Sequence, residues 1–227
     1  MRRHRLVAVG LIAVLLAAAC GSDEARVREP DALLAEVVER LAAAETFRFQ
    51  VSYEGPAVIA EAGAVLDRVD GVFQAPDRAQ SVIRLSALGL IAELEIVSEG
   101  SEVWRRGPFN DVWEPMEGDL ITAGDLFSDG GLLTLLRSDV TGLVAGETVS
   151  LEPFPGEEFE LAVGSVAGER LGLLTLGYLQ GDSAQITLFA TGPELRRIEL
   201  VEVDVDEPRR WIIDLWDYDA PVDIERP

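Results

Sequence analysis

The chain has 227 residues, 48% hydrophobic and 26% charged, a composition that suits a folded protein and excludes a disordered one. Its formal net charge is −22, with 41 acidic residues against 19 basic ones, all of them arginine. That balance excludes the positive footprint needed to hold nucleic-acid phosphates, and it argues against docking on anionic lipid headgroups through charge alone.

The chain opens with a basic stretch, Met1–Arg5, and then runs without a charge from Leu6 to Ala19. The run is too short to span a bilayer, which takes about twenty apolar residues, and it suits a secretory signal of residues 1–19. Ala17, Ala18 and Ala19 are small residues of the kind a signal peptidase accepts, and the chain's single cysteine, Cys20, follows directly. This arrangement resembles the bacterial lipobox, although Leu16 stands one place early. Lipidation of Cys20 is therefore expected, with the protein anchored at the extracytoplasmic face of the cell membrane. The alternative is an ordinary secretory peptide followed by an accidental cysteine.

Cleavage there removes His4, the sole histidine, and leaves a chain without histidine or lysine. Ser-His-Asp and Cys-His triads are then excluded, and so is a zinc site built on nitrogen or sulfur ligands. No GxxxxGK[ST] or GxGxxG loop is present. Carboxylate groups such as Asp204, Asp206 and Glu207 lack the glycine and spacing of an EF-hand loop. Neither an enzyme nor a resident metal or cofactor is expected.

Residues 20–30 are polar, end in Pro30 and read as a tether, which reaches about 33 Å when extended. Residues 31–227 read as one domain. Leu33, Leu34, Val37, Val38 and Leu41 repeat at helical spacing, with Glu36, Glu39 and Arg40 opposite, so an amphipathic helix is predicted. In "TFRFQVSYEG", Phe47, Phe49, Val51 and Tyr53 alternate with polar residues, which is the period of a half-buried strand. Further strands are predicted at "VLDRVDGVFQ", "SVIRLSA", "LIAELEIVS", "EVWRRG" and "DVWEPM". Later ones are "LVAGETVSL", "EFELAVGSV", "AQITLFA", "RRIELVEVDV" and "RWIIDLWDY". Short gaps containing Gly, Pro or Asp favour antiparallel hairpins.

Two segments interrupt the strands. "TAGDLFSDGGLLTLLRSD" reads as helical, with Asp129 as a candidate N-cap, and "VAGERLGLLTLGYL" as a short helix or irregular lid. The predicted class is α+β: a long curved antiparallel sheet with helices on one face.

The order of these pieces resembles the LppX/LprAFG family of bacterial lipoproteins. Its marks are the strand ending in "YEG", "DGVFQAPDRAQSVIRLSA", "VWRRGPFNDVWEPM", "FSDGGLLTLLRSD", "VAGETVSL" and the closing "WDYDAPVDIERP". The resemblance implies a half-barrel with helices on its concave face, similar to the LolA and LolB carriers. It also implies an apolar cavity that takes the acyl chains of a lipid or glycolipid. By position, Ile83 and Leu85 would face that cavity. Strand alternation adds Phe49, Val51, Leu94 and Ile96, and the helical cover adds Leu133 and Leu136. A cavity wall and a packed core share one sequence pattern, so each of these residues is also a core candidate. Arg48, Arg84, Arg105 and Arg106 are available to meet a phosphate.

The expected function is a membrane-anchored lipid carrier or presenter whose transporter partner, if any, is unknown. A binding module that engages a protein or polymer through the acidic surface is the alternative.

Overall fold

The computed structural model describes residues 28–60, 63–117, 121–225 and 227. The expected signal segment, Cys20 and most of the tether lie outside the described residues. Pro30 opens helix α1 (Pro30–Ala43), where its missing N–H costs nothing and its fixed φ suits the first turn. Leu33, Val37, Val38 and Leu41 are buried. Arg28, just before the helix, donates from Nε and Nη2 to Glu160 at 2.9 and 2.6 Å and also pairs with Glu36.

Eleven strands follow: β1 (Thr46–Glu54), β2 (Val65–Gln74), β3 (Arg78–Ala87), β4 (Leu90–Glu99), β5 (Glu102–Arg106), β6 (Glu114–Pro115), β7 (Val140–Ala145), β8 (Glu160–Ala167), β9 (Ser183–Thr191), β10 (Glu194–Glu202) and β11 (Arg210–Trp216). They form one antiparallel sheet in the order β6-β5-β4-β3-β2-β1-β11-β10-β9-β8-β7. The first and last long strands meet at its middle. The sheet is not closed, and an open sheet of this width fits a curved half-barrel.

The remaining helices are short. They are α2 (Ala123–Phe127), a π-helical turn at Asp129–Leu133, α3 (Thr134–Ser138) and α4 (Leu171–Leu174). α1 packs on β7, β8 and β10, while α2 packs on β2, β3 and β4.

Three expectations shift. The helix predicted around Asp129 is broken in two, because Gly131 has non-helical torsions and Asp129 makes no capping bond. Thr122 is the cap instead: the Asp125 N–H donates to its Oγ1 at 3.1 Å, and its own N–H donates to Asp125 Oδ2 at 2.9 Å. "DVWEPM" contributes only Glu114–Pro115 as strand. "LVAGETVSL" pairs only through Ala145, apart from a lone bridge between Val149 and Phe159. Pro153 and Pro155 follow that segment, in the connection to β8. Their loop buries Phe154 beside Phe159 and Phe189 in a small second core.

The sheet's other face is charged and paired. Gln50 donates to Asp70 at 2.6 Å, Arg197 to Asp214 at 2.6 Å and Arg106 to Glu95 at 2.5 Å, all along one row of strand partners. Among the described residues no helix is long and apolar enough to cross a membrane.

Candidate functional site: an apolar pocket beneath α2

Strand register decides which side chains share the helix-covered face. Val51 pairs with Val69, Val69 with Ile83 and Ile83 with Leu94, giving a continuous apolar rung across β1–β4. The next rung in one direction is Phe49, Gly71, Ser81 and Ile96, continuing to Arg105 on β5. In the other direction Leu66 opposes Leu85. Leu66 and Val69 are an odd number of residues apart, so in a regular strand they would face opposite ways. The register shift at Asp67 turns both inward.

These rungs form the floor of a pocket of about 200 Å³, and Thr122, Ala123 and Leu126 of α2 and its cap form the roof. The Phe49 ring packs against Phe127 at a tilt of 54°, with centroids 4.8 Å apart, and Phe47 and Phe73 extend the aromatic cluster. Gly124 lets α2 approach closely, because a Cβ there would sit 2.8 Å from both the Asp77 carbonyl oxygen and Ser98 Oγ. Buried Arg209 positions a further wall. It donates to the carbonyls of Pro56 and Tyr178, both at 3.0 Å, and so ties the β1–β2 loop to the segment after α4. Its charge is met by Glu202, itself buried and held by Trp211 Nε1 at 3.1 Å.

Phe49, Val51, Ile83, Leu85, Leu94 and Ile96 all line this pocket. Leu133 and Leu136 do not. They belong to the packed core, on the far side of the Gly131 kink, where the π-turn and α3 meet α1. A Cβ at Gly131 would stand 2.3 Å from the Leu126 carbonyl oxygen, so glycine permits the tight bend that separates the two helical pieces. The inner face is thus divided near β1: α1 and α3 fill the β7–β10 half, whereas α2 roofs a partly empty β2–β4 half.

Sequence reasoning did not nominate Leu66, Val69, Met116, Ile121, Leu126 or Tyr178, which also line the pocket. The apolar positions of "VLDRVDGVFQ" were the available signal, but the bulge scrambles their alternation. Arg48, Arg84 and Arg106 pair with Asp217, Glu93 and Glu95 at 3.4, 2.6 and 2.5 Å. Arg105 differs. It lines the pocket, its side chain is half exposed, and its carboxylate partner Glu114 is 3.8 Å away.

This architecture matches solved structures. LprF from Mycobacterium bovis superposes with a TM-score of 0.64 at 14% identity, covering 87% of this chain and 96% of its own. The lipoprotein LppX from Mycobacterium tuberculosis superposes at 0.58 with 19% identity, covering 86% and 99%. The fold is LppX/LprAFG-like. A LolA superfamily protein from Nitrosomonas europaea reaches only 0.32 and carries no argument. No protein-family model matches the chain, and no curated protein matches it. At these identities the likeness is one of fold, and the LppX/LprAFG-like half-barrel frames the pocket.

Proposed function

We propose that this protein binds the acyl chain of a lipid or glycolipid in the pocket beneath α2 and carries or presents it, without catalysis. In this reading acyl groups on Cys20 hold it at the extracytoplasmic face of the cell membrane. The observation that carries the reading is the empty space lined by Phe49, Val51, Ile83, Leu85, Leu94 and Ile96. A core of the same composition would close on itself, since packed interiors leave few voids larger than a water molecule.

The volume of about 200 Å³ is below the ~300–1,000 Å³ of ordinary small-molecule pockets, so this conformation suits a single tail. Each methylene removed from water contributes about 0.8 kcal/mol, but the competing site is a bilayer, which is equally apolar. Net transfer is therefore close to balanced, which suits a protein that must release what it takes. Arg105 offers a carboxylate or phosphate a partner where the pocket meets water. The lipoprotein name of LppX, whose fold this chain shares, agrees with an anchored envelope protein.

The test is lipid analysis of protein purified from its host, together with uptake of fluorescent fatty-acyl probes by the chain from Gly21 onward. A co-purifying acyl lipid and saturable uptake are expected. Absence of both would sink the reading. Anchoring is tested separately: Cys20→Ser is expected to leave the membrane fraction, and unchanged retention would refute it.

A further inference from the structure

The exposed apolar residues of this protein are concentrated at one end. β1 ends there, β2 begins there and the β3–β4 hairpin turns there, while β5 runs toward it and ends opposite Glu95. Ile59, Leu88, Leu90, Ile91, Phe109 and Val112 all lie in or beside these connections. Among the described residues only Val144 is a large exposed apolar side chain elsewhere. The segments that carry all of these but Val112 are uncharged, from Gly55 to Ala60, from Leu85 to Ala92 and from Gly107 to Asn110; Val112 follows Asp111.

The hairpin tip is the sharpest case. Ala87 pairs with Leu90, leaving a two-residue turn of Leu88 and Gly89, with φ of 53° and 79°. Positive φ at both positions is the type I′ turn, which favours Asn-Gly, and leucine is a poor choice for the first place. Leu88 is also fully exposed. The residue therefore serves neither the turn nor the core.

We propose that this end of the sheet, led by Leu88, inserts into the surface of a lipid bilayer of low charge. The apolar side chains sit at the tips of separate loops as projections, a shape that enters a fluid apolar medium more readily than it matches a second rigid surface. The charge distribution sets the orientation. On the other half of the same end, the β10–β11 turn carries Asp204, Asp206 and Glu207, which would stay in water. The tip is also continuous with the pocket, because β3 and β4 carry Leu85 and Leu94 into its wall and Leu88 and Leu90 beyond it. Insertion would set the pocket against the bilayer. The proposal goes beyond acyl-chain binding and is read out independently of it.

The test is flotation of the chain from Gly21 onward, which keeps every described residue, with phosphatidylcholine vesicles. The wild-type chain should float with the vesicles, and less so when phosphatidylglycerol is added. Leu88→Asn supplies the preferred turn residue, so its melting temperature should hold or rise while vesicle binding falls roughly tenfold, the scale of one leucine leaving an apolar medium. Phe109→Asn should weaken binding in the same direction. Uptake of a soluble acyl probe should be unchanged in Leu88→Asn, which separates tip from pocket. The proposal is overturned by absence of wild-type flotation, by equal flotation of Leu88→Asn, or by preference for phosphatidylglycerol. Concentration-dependent self-association abolished by Leu88→Asn, without vesicle binding, would assign the tip to a second copy of the chain and overturn it too.

Discussion

The ring of Phe49 lies across Gly71: a Cβ there would stand 2.5 Å from the ring's Cζ and 2.5 Å from the Gln80 carbonyl oxygen. The glycine gives the ring its place at the pocket floor, one rung below Val51. Gly71→Ala is expected to destabilise the fold by about 1–3 kcal/mol, the usual cost of overpacking. The displaced ring should also narrow the pocket. Urea denaturation and acyl-probe titration of the same variant check both effects, and unchanged uptake would mean that the ring position does not matter.

Ile83 and Leu136 are both apolar inner-face residues, yet their surroundings differ. Ile83 is half-buried and lines the pocket, whereas Leu136 is 1% exposed in the packed core. Ile83→Trp should occupy the empty space and abolish probe uptake, with little loss of stability. Leu136→Ala should cost about 2–5 kcal/mol, as truncations in tight cores do, and leave uptake intact at temperatures where the protein stays folded. Thermal melts and probe binding distinguish the two. A large destabilisation by Ile83→Trp would show that β3 is packed shut.

Arg105 is the charged side chain of the pocket wall. Arg105→Gln should weaken binding of a fatty acid more than that of the fatty alcohol of equal length, by about three- to tenfold, the range of one partly exposed charge-assisted hydrogen bond. Competition against a fluorescent probe measures the ratio. Equal loss for both ligands would place the headgroup elsewhere.

Glu160 is held below the usual carboxylate range, chiefly by its hydrogen bond to Arg28 and by that residue's charge. A depressed folded-state pKa contributes stability at neutral pH that is lost as pH falls through it. Glu160→Gln should therefore destabilise the protein at pH 7, by less than about 1 kcal/mol for this partly exposed pair. The deficit should shrink on acidification until variant and wild type coincide. Denaturant midpoints measured from pH 7 to pH 3 give the comparison, and a deficit independent of pH would exclude the ionic contribution.

Local pattern carried much of this fold. The alternation of Phe47, Phe49, Val51 and Tyr53 and the helical spacing of Leu33, Val37, Val38 and Leu41 appear in the structure as β1 and α1. Alternation also placed Phe49, Val51, Leu94 and Ile96 on one face, because side-chain direction along a strand follows from the backbone alone, while Ile83 and Leu85 came from the family resemblance. Where a rule of period two or 3.6 failed, a local exception had intervened. The bulge at Asp67 sent Leu66 and Val69 to the same side, and Gly131 split one helical pattern into two.

By itself the sequence determined the α+β class and the amphipathic faces. It could not separate a packed half from a hollow half, since Leu136 and Ile83 are equally apolar and both face inward. Only the tertiary structure decided that. The kink at Gly131 directs Leu133 and Leu136 toward α1, while the capping box at Thr122 and the close approach at Gly124 hold α2 as a roof over β2–β4. Whether apolar surface meets other side chains or an empty space depends on how far apart its carriers are held, and that distance is set by contacts between residues remote in the chain.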